Sequence, residues 1–139
     1  MSKYTRNAVY SYVHDKIKAS YPNAYVSGMY EPVVPSFPAV FIREVGKFSN
    51  TEAVTLSGVQ GVWTSTFEVQ IQSNKADTPL TEVYGILEVV QAAFSSIYYL
   101  LTAVNDVGTA DADTFRVVAT FRKVNGEADE IPSNQSNGG

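Results

Sequence analysis

The stretch "TFEVQIQSNKADTPLTEVYGILEVVQ", residues 66–91, changes its hydrophobic periodicity half-way along its length. Its first part alternates apolar with polar residues, as in a strand with one buried face. The alternation begins just before the quoted stretch. Its apolar positions are Trp63, Phe67, Val69 and Ile71, and its polar positions are Thr64, Thr66, Glu68, Gln70 and Gln72. In the second part apolar residues recur every three or four positions, as on one face of a helix. They are Leu80, Val83, Leu87, Val90, Phe94 and Ile97. The change predicts a strand at 62–73 followed at once by a helix at 79–97.

A helix start lies between these two elements. Thr78 is in position to cap the helix N-terminus, and Pro79 suits the first helical position because its missing N–H is not needed there. Glu82 places a negative charge near the positive end of the helix dipole. The local sequence therefore specifies where the helix begins.

Patterns on either side of this unit predict the remaining elements. A helix is expected at 3–20, where Val9, Val13 and Ile17 recur every four residues. Segments rich in β-branched and aromatic residues predict strands at 24–30, 39–45, 98–104 and 114–124, and Pro-rich or polar segments at 31–38 and 105–113 predict connections. This order predicts an α+β fold, with two helices packed on one face of a mainly antiparallel sheet of about four to five strands.

The predicted elements form a single domain at 1–124, which carries a long, mobile hairpin arm at 46–61. The apolar residues of the arm are too sparse to form a core, and we expect them to bind a groove of a partner. They are Phe48, Val54, Leu56 and Val59. The alternative is a surface loop without a contact. Residues 125–139 carry three acids, no base and almost nothing apolar, which predicts a flexible acidic and polar tail.

Composition excludes several classes of protein. The net charge of −4 argues against a nucleic-acid binder that neutralises phosphates, because such proteins need a basic face. The absence of cysteine excludes disulfides, thiolate chemistry and a cysteine zinc site. No apolar run approaches the roughly 20 residues of a membrane span, and the first residues lack the apolar core of a signal peptide. We therefore expect a soluble protein made in a cytoplasm, without a membrane partner.

Residues that could perform catalysis are few. His14 is the only histidine, and no GxSxG motif accompanies it, so a packed or solvent-facing role is expected. The three aspartates Asp106, Asp111 and Asp113 lack the pattern of a calcium loop and are expected in a solvated turn. The GxxG spacing of Gly58 and Gly61 is too short a signal for RNA binding. We therefore expect no enzyme activity, no cofactor and no catalytic or metal-binding residues.

The order of elements and four local segments resemble the tail terminator, or tail completion, proteins of long-tailed bacteriophages. These segments are the opening amphipathic helix, the Pro-rich entry into "FPAVFIREV", the strand "FEVQIQSN" followed at once by "TPLTEVYGILEVVQAAF", and the closing "TFRVVATFRKV". Together they cover most of residues 3–124. The resemblance is one of architecture and rhythm and includes no catalytic motif.

This resemblance implies a structural virion protein, made in the host cytoplasm and located in the tail or neck of the virion. Members of the family form a hexameric ring that caps the tail tube protein, stops tube growth and meets the head-side connector or stopper protein. DNA later passes through the ring. An acidic chain agrees with passage of DNA without specific binding, since phosphate contacts need cations.

Other functions stay open from the sequence. Within the same class, the chain could be another neck component, either a head-completion stopper or an adaptor. A small α+β enzyme would need a pocket with convergent polar groups. A monomeric binding module would have a mass of 15.2 kDa in solution, whereas a ring would have a multiple of it.

Overall fold

The computed structural model describes residues 5–29, 31, 33–49, 63–75, 78–107 and 114–125, with the backbone alone at 47–49, 63 and 124–125. Within these residues the chain forms two helices and five strands. The helices are α1 (Arg6–Ser20) and α2 (Pro79–Ser96). The strands are β1 (Tyr25–Ser27), β2 (Ala39–Ser49), β3 (Trp63–Ser73), β4 (Leu100–Val107) and β5 (Phe115–Asn125).

All five strands belong to one sheet, in the order β1-β2-β3-β5-β4. β1 is parallel to β2, and the other neighbouring pairs are antiparallel. Buried residues of both helices share one core with the apolar residues of β3 and β5, so the helices cover the same face of the sheet. The predicted α+β fold, with two helices on a mainly antiparallel sheet, is confirmed.

The core lies between the helices and this face of the sheet. Strand register places Phe67 opposite Phe121 and Val69 opposite Ala119, and all four side chains are fully buried. On α2, Phe94 stacks on Phe121 with the ring centroids 4.3 Å apart. Because burying a large apolar side chain contributes about 1.5–3 kcal/mol, these aromatic contacts hold α2 on the sheet.

The apolar stripe predicted for α2 is confirmed except at its first residue. The buried members are Val83, Leu87, Val90, Phe94 and Ile97. Leu80 is 52% exposed, so the prediction that it belongs to the core is wrong. Ile86 and Ala93 are buried although the predicted stripe omits them. The reason is that α2 packs against both the sheet and α1, which widens its buried face, whereas the side of the first turn that carries Leu80 is exposed.

The two helices lie antiparallel against each other. Near one end of the pair, the hydroxyl of Tyr12 and Oγ of Ser96 lie 2.7 Å apart. Near the other end, Tyr21 lies over Gly85, where an added Cβ would meet the tyrosine hydroxyl at 2.5 Å. The small residue at position 85 therefore allows the close approach of α1 to α2.

The face of β3 that points away from the helices is less exposed than predicted. Thr64 and Gln72 are buried, which contradicts a wholly solvated face, whereas Glu68 and Gln70 are half-buried. β3 is the central strand, and side chains from its neighbours cover it. One example is Arg43 of β2, whose Nη2 lies 3.0 Å from a carboxylate oxygen of Glu68.

Several strand ends differ from the predicted ones. β1 is shorter than the predicted segment 24–30 and spans only Tyr25–Ser27. β2 continues to Ser49, so the first residues of the predicted arm belong to a paired strand. β4 runs on to Val107 through the first part of the predicted turn, because pairing with β5 extends that far.

The helix starts are specified by different side chains from those expected. Thr78 occupies the N-cap position of α2, as predicted, but its side chain makes no capping hydrogen bond in the described structure. Instead, Ser73 at the end of β3 donates to Glu82 in the first turn, at 2.5 Å. At α1, Oγ1 of Thr5 accepts a hydrogen bond from the backbone N–H of Ala8. The Ser73–Glu82 contact directly links the strand to the helix that follows it.

Candidate assembly surfaces

The β2–β3 hairpin is the part of the sheet that adjoins the predicted arm in the sequence, and β5 pairs with β3 as far as Trp63 opposite Asn125. The two strands stay paired from Ala39 opposite Gln72 to Ser49 opposite Trp63, with a bulge at Val45. Of the predicted partner-binding residues, Phe48 lies in β2 opposite Thr64, and its side chain is not described. The other three, Val54, Leu56 and Val59, lie outside the described residues. The described part of this feature is thus a paired stem, residues 46–49 and 63–66, which we call the hairpin stem.

A buried polar network lies where the hairpin stem joins the core. Tyr99 is almost fully buried, and its hydroxyl donates to Oγ of Ser65 at 2.9 Å. Ser65 is fully buried and donates in turn to the carboxylate of Glu44, at 2.8 Å. A buried hydroxyl without a partner is costly, so this chain of donors specifies how the stem packs on the core. The network thus links Glu44 of β2 and Ser65 of β3 to Tyr99, the residue before β4.

The turn from α2 to β4 contains a backbone conformation that favours glycine. Tyr98 has φ of 72°, and it follows the C-cap residue Ile97. The N–H of Tyr98 donates to the carbonyl of Ser95, and the N–H of Tyr99 donates to the carbonyl of Phe94. These two bonds define a Schellman motif, whose left-handed position usually holds glycine. A tyrosine in this position carries a backbone cost of about 1–2 kcal/mol.

An apolar strip runs along the β4 edge of the sheet. Its side chains are Tyr98 and Leu100, which are 69% and 71% exposed, together with Val104, Tyr84 and Leu80, which are 37%, 38% and 52% exposed. We call these five residues the β4-edge strip. Tyr84 is held beside the strand because its hydroxyl donates to Asp106 at 3.1 Å, a bond that raises the pKa of Tyr84 above its ordinary value. The strip is bordered by Arg122, which is exposed, and by Lys123, whose Nζ lies 5.3 Å from the centroid of the Tyr98 ring.

Exposed apolar side chains also follow the opposite edge strand. Met29 is 72% exposed and Val33 is 80% exposed, and both lie in the connection that leaves β1. Between them Glu31 accepts a hydrogen bond from the hydroxyl of Tyr25, and the carboxylate raises the pKa of that tyrosine. We call Met29, Glu31 and Val33 the β1-edge patch. It combines apolar side chains with a negative charge.

A shallow groove of about 370 Å³ runs between α1 and α2 on the side away from the sheet. Its walls are mostly small side chains, including Ala19, Ala92 and Ala93, with Tyr12 and Lys16 at one margin. Nζ of Lys16 lies 5.4 Å from the centroid of the Tyr12 ring. Polar side chains line it as well, those of Tyr12, Lys16, Ser20 and Ser96, and the Tyr12 hydroxyl and Oγ of Ser96 bond to each other.

Of the residues weighed for catalysis and metal binding, the structure describes His14 and Asp106. Nδ1 of His14 lies 3.0 Å from the carboxylate of Asp15, and the histidine side chain is 34% exposed. Asp106 belongs to β4 and accepts the Tyr84 hydrogen bond, so its prediction as a turn residue is wrong. Asp111 and Asp113 lie outside the described residues, as do Gly58 and Gly61. Among the residues that the structure describes, no three metal-ligating side chains form a group.

No helix in the described part of the chain is long and apolar enough to cross a membrane. A comparison with protein-family models found no match, and a comparison with curated proteins found none either. The function therefore has to be inferred from the fold and from the surfaces described above.

Sequence reasoning did not find the β4-edge strip or the β1-edge patch. Periodicity identifies the buried side of an element, but it does not say which strands end up at the sheet edges. Leu100 looked like an ordinary strand residue, and only the strand order makes β4 an edge. Tyr98 had no signal at all, because a left-handed turn without glycine or asparagine is not recognisable from composition.

Proposed function

We propose that the chain is a structural virion protein that forms a hexameric ring at the head-proximal end of a bacteriophage tail. In this role it ends growth of the tail tube and joins the tail to the head-side connector, and it performs no catalysis. The observation that carries the proposal is the hairpin stem. Its two strands end where the predicted arm begins, and the scattered apolar residues of that arm would dock onto the end of a tube.

The platform is rigid because its strands and helices are tied together at both ends. The stem strand β3 pairs with β2 on one side and with β5 on the other along its whole length. The Ser65 network anchors the base of the stem, and the Ser73–Glu82 bond links the far end of β3 to α2. A segment that leaves such a base is presented in a defined position, which favours binding because less freedom is lost on docking.

The charge of the chain agrees with a channel for DNA. The subunit has ten Lys and Arg against 14 Asp and Glu, a net charge of −4, so the excess of carboxylates would let DNA move through a ring of such subunits without being retained. The cations that the structure describes are partly used inside the subunit. Arg43 pairs with Glu68, and Lys18 donates to the carbonyls of Pro22 and Ala24.

Shortening the arm tests this proposal. Ser49 and Trp63 face each other at the end of the hairpin stem, so residues 50–62 can be replaced by Asn-Gly, which forms a two-residue hairpin turn. We expect a folded protein with a melting temperature near that of the wild type that no longer co-sediments with tail tubes. The physical reason is that Val54, Leu56 and Val59 are removed while every described strand pair remains.

A second variant keeps the length of the arm and changes only its chemistry. Replacing Val54, Leu56 and Val59 together by serine should weaken co-sedimentation as strongly as the deletion does. If both variants bind tubes like the wild type, the arm is not the docking element, and the observation on which the proposal rests loses its meaning.

A further inference from the structure

Both edges of the sheet are open in the subunit, and they differ chemically. The strand order leaves β1 at one edge and β4 at the other. The β4-edge strip contains five of the eight large apolar side chains that are exposed among the described residues, and the β1-edge patch contains two more. Of these side chains, Tyr98 and Leu100 lie together with Arg122 and Lys123 around one shallow surface depression, and exposed apolar surface of this kind is typical of an interaction site. Only Val45, on the bulge of β2, lies apart from both surfaces.

One residue of the strip has a strained backbone although its side chain is mostly exposed. Tyr98 keeps a left-handed backbone although its ring is 69% exposed, so burial inside the subunit does not compensate for the strain. Strained residues of this type cluster at functional sites. The conformation directs a large aromatic side chain outward beside Leu100, and such side chains are enriched at the centres of protein interfaces.

The charges on the two surfaces are complementary. Arg122 lies opposite Leu100 in the β4–β5 pair, is exposed, and forms no ion pair with any described residue. The β1-edge patch instead carries the carboxylate of Glu31 between its two apolar residues. Opposite charges at matching apolar surfaces fix the register of an interface and disfavour contact between identical surfaces.

From these observations we propose that the β4-edge strip of one copy of the chain binds the β1-edge patch of the next copy, with Tyr98 and Leu100 against Met29 and Val33 and with Arg122 facing Glu31. The contact joins two different surfaces of the subunit, so it is heterologous and propagates head to tail. Repeated around an axis, it closes into a ring. This inference deepens the ring assembly proposed above and rests on it for the closure of the ring.

The interface uses side chains and not continuous strand pairing between copies. β4 has a register shift between Leu101 and Ala103, and Thr102 in this bulge donates from its side chain to the carbonyl of Thr120 in the same subunit. A bulge bends an edge strand and interrupts the row of backbone groups that another strand could pair with. At the other edge β1 has only three residues, and beyond Phe41 the edge is formed by β2, which has its own bulge at Val45.

Cysteine cross-linking tests the contact directly, because the natural chain has no cysteine. A double variant with Leu100→Cys and Val33→Cys, treated with a bismaleimide alone and with tail tubes, should give a ladder of covalent oligomers that ends at a closed ring. Each single variant should stay monomeric, since the contact joins unlike surfaces. The matched control is Leu100→Cys combined with Ala92→Cys, which should give no ladder because Ala92 is exposed on α2, in the groove between the helices, and not at a sheet edge.

The possible results separate this inference from the proposed function. A ladder without binding to tubes supports the interface and counts against the tail role. Tube capping without a ladder overturns the interface and leaves the tail role standing. Dimers from the single Leu100→Cys variant also overturn the inference, because they show that β4 edges meet each other.

Charge reversal tests the same contact independently, without introduced cysteines or a cross-linker. Arg122→Glu and Glu31→Arg should each weaken self-association by tenfold or more in sedimentation velocity, and the double variant should recover most of the loss. Recovery requires that the two side chains face each other across the interface. Two single variants that associate normally, or a double variant that is weaker than both, would contradict the proposed pairing.

Discussion

Tyr98 shows how one residue can carry both a backbone cost and a surface role. Its φ of 72° completes the Schellman motif after α2, and its ring lies exposed beside Lys123. Glycine would adopt this backbone without strain but would remove the ring. The two contributions can be separated by comparing glycine with alanine, because both substitutions delete the same aromatic contact.

We expect Tyr98→Gly to be more stable than Tyr98→Ala by about 1 kcal/mol in the free energy of unfolding, since only alanine keeps the cost of the left-handed conformation. Urea denaturation of the two variants measures the difference. Both variants should lose self-association to a similar extent, because both lack the ring. Equal stability of the two would show that position 98 is not strained.

Ser65 is the second residue whose role the structure specifies. It receives a hydrogen bond from Tyr99 and donates one to Glu44, and it is fully buried. Ser65→Ala removes both bonds in the interior and should cost about 1–3 kcal/mol. Ser95 is an exposed serine at the end of α2, and Ser95→Ala should change the free energy of unfolding by less than about 0.5 kcal/mol.

Thermal or urea unfolding of the two alanine variants provides the comparison. A cost for Ser65→Ala no larger than that for Ser95→Ala would mean that the buried network does not stabilise the base of the hairpin stem. The rigid presentation of the arm would then lack its structural basis.

At the scale of elements, periodicity predicted most of what the structure shows. The alternation in β3 and the helical repeat in α2 identified the buried side of each element, because the pattern reports directly on which face meets the core. Val69 and Val90 illustrate this, since both are fully buried as predicted. Periodicity does not show how much of each element the rest of the fold buries. Leu80 follows the helical repeat, but the side of the first turn on which it lies is exposed.

Leu87 and Leu80 provide a matched test of that difference, since they lie on the same helix and differ mainly in burial, at 6% and 52% exposed. Leu87→Ala should lower the free energy of unfolding by about 2–5 kcal/mol, because it leaves a cavity in the core. Leu80→Ala should lower it by less than about 0.5 kcal/mol. Denaturation curves of the two variants measure these changes. Similar losses in the free energy of unfolding would show that the faces of α2 are wrongly assigned.

Strand ends were the least predictable feature of the elements. β2 and β4 extend further than their local sequences indicate, because each pairs with a long neighbour that supplies hydrogen bonds beyond the apolar segment. Lys47 and Ser49 have little strand character of their own but lie opposite Ser65 and Trp63 in the sheet. Pairing with a neighbouring strand therefore determines whether these residues are in a strand, because their own β-propensity does not.

For the whole molecule, the class of fold followed from the order of elements, whereas the assembly surfaces did not. An α+β sandwich is the arrangement that covers one face of the predicted sheet with the two predicted helices. The strand order β1-β2-β3-β5-β4 depends on long-range pairing, and it alone makes β1 and β4 the edges. The β4-edge strip and the β1-edge patch exist only because of that order, so they could not be recognised from the sequence.

The subunit that results has a core on one side of its sheet, a hairpin stem at one end and two unlike edges. In the proposed ring the edges join neighbouring copies, and the stem directs the arm of each copy to the tail tube. Each of these contacts uses a different part of the chain. A single substitution should therefore impair either ring formation or tube binding. A change at Leu100 should impair ring formation, and a change at Leu56 should impair tube binding.

Electron microscopy of tails assembled with and without this protein tests the central claim most directly. With the wild-type protein we expect tails of uniform length that end in a ring and join heads. Without it we expect tubes of irregular, extended length and free heads, because nothing stops addition of tube subunits. Tails of uniform length that attach to heads in its absence would contradict the assignment as a terminator.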